Sequence, residues 1–213
     1  MKIFIPIKND SQRVPNKNFR LFAGEPLYKH TLLKLKEHSV YIDTDSKDVL
    51  SEVDSDPRLG HVRAYQRQES LRGHRISVCD LIKNFIQRYN IESPLVQIHV
   101  TSPFLKVDTL ERAFSHMQKH DSVVSCNIYN SRFWRKEEYG FCPLNHNPLK
   151  MEQTQDLPVI YEENSAFYIF DPKVIMMTGN RVGQNPYFYP IVDPENIDID
   201  TERDWEKALG EIK

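Results

Sequence analysis

A length of 213 residues suits one generous domain, or one domain with an excursion, and is enough to bury a core. With 39% hydrophobic residues, 27% charged residues and a formal charge of −2, the chain lacks the strongly basic balance of a nucleic-acid binder, so no nucleic-acid partner is expected. No apolar run reaches membrane-spanning length and no secretion signal is apparent, while three cysteines without C-x-x-C spacing argue against a disulfide framework or a structural zinc. The expectation is a cytoplasmic protein with reduced thiols.

The elements alternate. Ile3 to Ile5 reads as a first strand, ending in the polar, doubly charged loop Lys8 to Asn18. Leu27, Thr31, Leu32 and Leu35 recur at helical spacing, which predicts a helix over Pro26 to Glu37 with proline in its first turn. Val40 to Ile42 reads as a strand stopped by Asp43-Thr44-Asp45-Ser46, and Val49, Leu50 and Val53 as a short helix. Val62 to Tyr65 is a strand. Ile76, Cys79, Ile82, Phe85, Ile86 and Tyr89 form the apolar stripe of an amphipathic helix. Leu95 to Val100 is a strand halted by Thr101-Ser102-Pro103, and Val107, Leu110, Ala113, Phe114 and Met117 continue as a helix. Ser122 to Cys126 and Ala166 to Phe170 are strand-like. Thr201 caps a last helix whose buried face is Trp205, Ala208, Leu209 and Ile212.

Such alternation predicts an α/β fold with a mixed, mostly parallel sheet and helices on both faces, organised as a single domain over 1–213. From about 128 to 164 the alternation fails over a stretch too long for a loop, which reads as an inserted arm that meets a second subunit or covers a ligand.

In open parallel sheets the ligand crevice lies beyond the carboxyl ends of the strands. The segments directly after the strands bring Lys8 to Asn18, Asp43 and Asp45, Gln66 to Ser70, and Thr101 with Ser102 to one rim. Asp198-Ile199-Asp200 adds two acids that share a face if the segment is extended, and two bare carboxylates on one face favour a cation between them. Cations for phosphate and carboxylates for metal suit a nucleotide held with a divalent ion. Plainer readings stand beside this one. Lysines in loops are often only solvated, Asp43-Thr44-Asp45 caps the next helix, and His99 is a packed strand residue.

The residues also resemble a known family in six blocks that keep its order. Ile5 through Asn18 is similar to the loop I-P-A-R-x-x-S-x-R-x-P-x-K-N of the acylneuraminate cytidylyltransferases, the CMP-sialic acid synthetases and their relatives. Gly24 to Leu27, Tyr41 to Ser46, Thr101 to Phe104, Asn164 to Ile169 and Asp198 to Thr201 with Asp204 resemble the remaining blocks. The resemblance implies a nucleotide-diphospho-sugar transferase-like, Rossmann-like three-layer fold with a dimerisation arm. It implies that a sugar-acid hydroxyl attacks the α-phosphate of CTP, giving a CMP-sugar and pyrophosphate with magnesium as cofactor. On this pattern Lys8, Asn9, Ser11, Gln12, Lys17, Asn18, Arg67 and Ser77 contact the nucleotide. His99, Thr101, Ser102, Gln155 and Asn164 contact the sugar. Asp198 and Asp200 hold the metal, and Lys17 and Asp200 carry catalysis. The arm residues Arg132, Phe133, Trp134 and Arg135 read either as a sugar contact from a neighbouring subunit or as packing in a homodimer interface.

The departures fall on Lys8, where the family has arginine, and on Gln12, His74, His99, Thr154 and Ser165. Those at His99 and Thr154 bear on which sugar is used. Three other readings remain: a nucleotidyltransferase for another sugar acid or a polyol phosphate, a glycosyltransferase whose metal motif Asp43-Thr44-Asp45 imitates, and a nucleotide-binding relative without catalysis.

Overall fold

The computed structural model describes residues 1–11, 13–73 and 75–212. In chain order the elements are β1 (Lys2–Ile7), β2 (Leu21–Phe22), β3 (Glu25–Pro26), α1 (Leu27–Leu33), β4 (Ser39–Thr44), α2 (Lys47–Ser55), β5 (Val62–Gln66), α3 (Val78–Tyr89), β6 (Leu95–Ile98) and α4 (Val107–Phe114). They continue with β7 (Ser122–Tyr129), β8 (Trp134–Glu137), β9 (Gly140–Pro143), β10 (Ile160–Phe170), α5 (Pro172–Thr178), β11 (Pro186–Pro190) and α6 (Glu202–Glu211).

Ile3, Phe4 and Ile5 of β1 are all fully buried, so this strand is covered on both faces, as an unbroken apolar run demands. It lies within a seven-stranded sheet of order β11-β7-β10-β6-β1-β4-β5. All neighbouring pairs are parallel except those of β10, which runs antiparallel to both β6 and β7. One face packs Ile3, Ile5, Val96 and Ile98 against Leu32, Val49, Leu110 and Ala113 of the helices. The other packs Phe4, Leu95 and Tyr168 against Leu81, Ile82 and Phe85 of α3 and Ile175 of α5. The result is the three-layer, mostly parallel arrangement expected from the alternation.

A third, smaller cluster matters most for the site. Ile197 and Ile199 pack with Phe22, Leu27, Trp205 and Ala208. Burying two isoleucines contributes about 1.5–3 kcal/mol each, which pins this segment although it forms no strand. Its alternation survives without a ladder: the isoleucines point inward while Asp198 and Asp200 remain partly exposed.

Several elements differ in detail from the sequence reading. The first helix stops at Leu33 rather than Glu37, because the chain tightens into turns there, with the Lys34 N–H donating to Thr31 and Leu32 oxygens. Ser46, not Asp43 or Asp45, caps α2, its hydroxyl accepting from the Val49 N–H at 3.4 Å. Leu209 is 43% exposed, since only Trp205 and Ala208 of α6 face the core squarely. Helix α5 and strand β11 were not legible. The strand begins and ends with proline, a composition tolerated because β11 is an edge strand.

The stretch 128–164 is structured at both ends. β7 runs on to Tyr129 and β10 starts at Ile160, pairing Tyr129 with Ile160, and the register shifts between Glu163 and Tyr168. Ser165 sits in that irregularity with φ of 60°, a left-handed conformation that suits glycine better. Beyond the sheet, β8 and β9 form a separate hairpin. Asn145 closes its base, donating to Ser131 and Pro158 carbonyls at 2.8 and 2.9 Å and accepting from the Phe133 N–H at 2.9 Å. Among the described residues, no helix is long and apolar enough to cross a membrane.

Candidate active site

The loop after β1 folds back over the carboxyl end of the sheet. Asn16 takes a left-handed turn (φ 53°), and Lys17–Phe19 forms one 3-10 turn. That turn buries Lys17 and Asn18. Asn18 donates through Nδ2 to the Lys8 carbonyl at 2.9 Å, tying the loop's exit to its entrance. A cleft of about 310 Å³ opens beside the loop, lined by Lys8, Asp10, Ser11, Arg13, Lys17 and Asn18. Ile76, Val78 and Leu81 close one wall, and His99, Val100 and Thr101 complete the lining.

Lys17 is the connecting residue. Its Nζ donates to the Ile199 carbonyl at 2.5 Å and to Asp200 Oδ1 at 3.3 Å, across 183 positions of sequence. Arg13 reaches the same carboxylate oxygen at 2.8 Å. The amino-terminal cations and the late acidic pair therefore meet at one point. A second cavity of about 400 Å³ lies beyond it, lined by Asn127, Asn164 and Asn196, by Glu162 and Glu163, and by Asp198, Asp200, Asp204 and Lys207.

The electrostatics of the acids are uneven. Burial raises the pKa of the Asp198 carboxyl and the neighbouring Asp200 adds to the rise, while a Thr101 side-chain hydrogen bond, Lys17 and Arg13 oppose it. Its Oδ1 is buried with no hydrogen-bond partner. A carboxylate oxygen left so is costly unless a cation joins it. Asp198 and Asp200 could hold a divalent ion between them, although among the described residues no cluster of three or more His, Cys, Asp or Glu side chains is arranged for one. Two carboxylates suffice for magnesium when phosphate oxygens and water fill its remaining positions. His99 is pushed down to about 4 by burial, then by Arg181 and Lys17, with Asp200 opposing, so its ring is neutral at pH 7.

Of the residues singled out in the sequence, Lys8, Ser11, Lys17, Asn18, His99 and Thr101 line the first cleft. Asn164, Asp198 and Asp200 line the second cavity. Asn9 is exposed and its N–H donates to Asp45 Oδ1 at 2.7 Å, bracing the loop against the end of β4. Arg67 is 1% exposed. Its Nε donates to the Asp43 carboxylate and its Nη2 donates to the Asp43 and Ile7 carbonyls, so it underlies the rim rather than lining the cleft. Burial raises the Asp43 carboxyl's pKa, with Arg67 opposing. Ser77 caps α3 at the cleft edge, accepting from the Asp80 N–H at 3.2 Å. Ser102 is buried with its hydroxyl unpaired. Gln155 is exposed on the arm, its Nε2 donating to Gln153 at 2.6 Å, and lines neither cavity. Gln12 and His74 lie outside the described residues.

The sequence reading passed over three participants. Arg13 lies within the Lys8 to Asn18 loop, and nothing local in the sequence signals its pairing with Asp200. Asn127 and Asn196 frame Asn164: Asn127 Oδ1 accepts from Asn164 Nδ2 at 3.1 Å and from Asn196 Nδ2 at 3.2 Å. Their signal was positional. Asn127 comes directly after the buried run of β7, and Asn196 directly precedes the Ile197-Asp198-Ile199-Asp200 segment.

Comparison with known proteins gives the family and the fold of the chain. A family profile described as Cytidylyltransferase matches residues 3–212. CMP-N,N'-diacetyllegionaminic acid synthase of Legionella pneumophila is 30% identical over 219 positions, covering 94% of this chain and 91% of that protein. N-acylneuraminate cytidylyltransferase of Streptococcus agalactiae is 24% identical across 98% of this chain but only 52% of its own length, so the chain spans about half of that relative. Among solved structures, CMP:2-keto-3-deoxy-manno-octonic acid synthetase complexed with CTP superposes with a TM-score of 0.67 at 15% identity, over 98% of this chain and 96% of that one, a likeness of fold alone.

Proposed function

We propose that this chain, which belongs to the cytidylyltransferase family, activates a sialic-acid-type ulosonic acid with CTP. The hydroxyl oxygen on the sugar's anomeric carbon bonds to the α-phosphorus of CTP, and the bond from that phosphorus to the β-phosphate's bridging oxygen breaks. Pyrophosphate leaves, the hydroxyl proton goes to solvent or a nearby base, and a CMP-sugar forms. The relatives named for acylneuraminate and diacetyllegionaminic acid chemistry support the acceptor class.

The observation that carries this reading is the contact between Lys17 and Asp200, which brings phosphate-type cations and metal-type carboxylates to the junction of the two cavities. Lys8, Ser11, Lys17 and the N–H groups of their loop take the triphosphate in the first cleft. Asn18 keeps that loop closed. Arg67, held rigid by Asp43, supports the floor on which the cytidine rests, and Ser77 borders it. Thr101 and His99 lie at the boundary with the second cavity, where Asn164 faces the sugar. Catalysis is then chiefly positioning and charge neutralisation.

Asp198 and Asp200 would hold magnesium. The buried, unpartnered Asp198 Oδ1 fits that role, and burial with the neighbouring Asp200 raises this carboxyl's pKa even against Lys17 and Arg13. A bound ion would neutralise phosphate charge and lower the pKa of the attacking hydroxyl. The protein's own cations do part of this work, since Lys17 stays beside the leaving pyrophosphate.

The arm would serve a homodimer. Trp134, Tyr139, Phe141, Leu144, Leu149 and Met151 are all about half exposed or more, an apolar concentration suited to burial against a second copy. The three free cysteines agree with a reducing, cytoplasmic setting, where CTP is available. Pyrophosphate release with CTP, magnesium and a panel of ulosonic acids tests the proposal. Release with at least one acid is expected. CTP binding without release for any acid would favour a non-catalytic relative, and cleavage of a nucleotide-sugar would favour a glycosyltransferase.

A further inference from the structure

A cation that lines neither cavity has no part in the reaction as described. Lys34, just past the end of α1, turns its Nζ onto the Pro103 carbonyl and onto the Leu105 carbonyl at 3.2 Å. Thr31, in the same helix, grips the same loop: its Oγ1 donates to the Val100 carbonyl at 3.4 Å. Three carbonyls of the Val100–Lys106 connection are therefore held by α1 and the turn after it.

That connection in turn holds the acidic segment. The Thr101 carbonyl accepts the Ile199 N–H at 2.9 Å, from the residue between the two aspartates. At the other end, the Lys106 N–H donates to Glu195 Oε2 at 3.0 Å and Lys106 Nζ lies 3.4 Å from Glu195 Oε1, three residues before Asp198. Because 197–200 belongs to no strand, these loop contacts replace the ladder that would otherwise fix its register.

We propose that Lys34 is a positioning residue for the acidic pair: it clamps the Val100–Lys106 loop to α1, and the loop sets where Asp198 and Asp200 stand. A short neutral residue cannot reach both carbonyls. A methionine fills the stem's volume but leaves two carbonyl oxygens without their donor. The ammonium is buried, which pushes its pKa down to about 8, and Glu195 is the charge that faces it and opposes the shift, so it remains protonated at pH 7. The His30 ring also stands beside this ammonium, its pKa lowered by burial and then by Lys34, and Lys106 pairs with the same Glu195.

The consequence for metal and nucleotide rests on the cytidylyltransferase reading, whereas the consequence for the backbone does not. The experiment therefore has two arms, run on Lys34→Met, Lys34→Arg and Thr31→Val. In the ligand-free protein, amide hydrogen exchange at Ile199 is expected to accelerate at least about tenfold in Lys34→Met. A smaller acceleration is expected in Thr31→Val, and near wild-type protection in Lys34→Arg. In the turnover assay, Lys34→Met should raise the magnesium concentration for half-maximal rate at least about fivefold and lower kcat, with KM for CTP within about twofold. Unchanged exchange at Ile199 in both Lys34→Met and Thr31→Val would overturn the clamp. A loss of thermal stability with an unshifted magnesium requirement would reduce Lys34 to a packing role and overturn the positioning claim. If the wild-type protein shows no turnover with CTP, the functional reading fails while the exchange arm still decides the clamp.

Discussion

Replacing Lys17 by methionine separates the structural and catalytic halves of the site. The stem's volume is kept and the ammonium is removed. In the folded protein that ammonium satisfies the carbonyl of Ile199, a fully buried residue, and neutralises Asp200. An unpaired buried carbonyl costs about 1–3 kcal/mol. Asp200 keeps Arg13 as a partner, but that exposed pair contributes only about 0–1 kcal/mol. The net destabilisation is then about 2 kcal/mol, equivalent to a fall in Tm of roughly 4–8 °C for a chain of this size. In catalysis the ammonium faces charge that builds on the leaving pyrophosphate, so its loss should slow turnover at least about tenfold, near 1.4 kcal/mol. Thermal melts of the ligand-free protein and initial rates of pyrophosphate release provide the two readouts. Lys17→Arg should melt closer to wild type. Wild-type kinetics in Lys17→Met would remove the residue from the triphosphate site, and an unchanged Tm would refute the bridge between the loop and Ile199.

The same geometry sets three other expectations. Asp200→Asn should abolish turnover and magnesium-dependent thermal stabilisation while shifting the apo melting curve little, because its partners are one exposed arginine and the already anchored Lys17; an active variant would remove the metal assignment. His99 has a folded pKa near 4 against 6.5 unfolded, so the unfolded state takes up its proton first and the protein loses stability as pH falls from about 6.5 to 4, by up to about 3 kcal/mol. His99→Gln should flatten that part of the stability–pH curve, and an identical slope in urea titrations would contradict it. In Gly183→Ala, the new Cβ would stand 2.4 Å from the Asp121 carboxylate. That carboxylate accepts from the Gln184 and Asn185 N–H groups and the Ser122 hydroxyl, so it cannot retreat without losing them. A cost of about 2 kcal/mol or more is expected in urea unfolding, and a change within about 0.5 kcal/mol would show that the turn relaxes.

The sequence by itself determined the layers. Apolar runs such as Ile3-Phe4-Ile5 and stripes such as Ile82, Phe85 and Ile86 can be buried only in a helix-covered sheet, because the periods of strand and helix leave few other solutions. It also named most of the polar rim, since charged residues directly after a buried strand have little to do but face the crevice. Local pattern could not supply distances between remote segments. That Lys17 touches Asp200, that Arg67 turns under the rim to Asp43, and that Asn127 and Asn196 frame Asn164 are consequences of chain crossings 24 to 183 residues apart. The acidic pair shows the division most clearly. Alternation of isoleucine and aspartate fixed which side chains turn outward. Their place opposite the cations was decided only when Ile197 and Ile199 packed against Phe22 and Trp205 and the Ile199 N–H and carbonyl met Thr101 and Lys17, because no strand ladder holds that stretch of backbone.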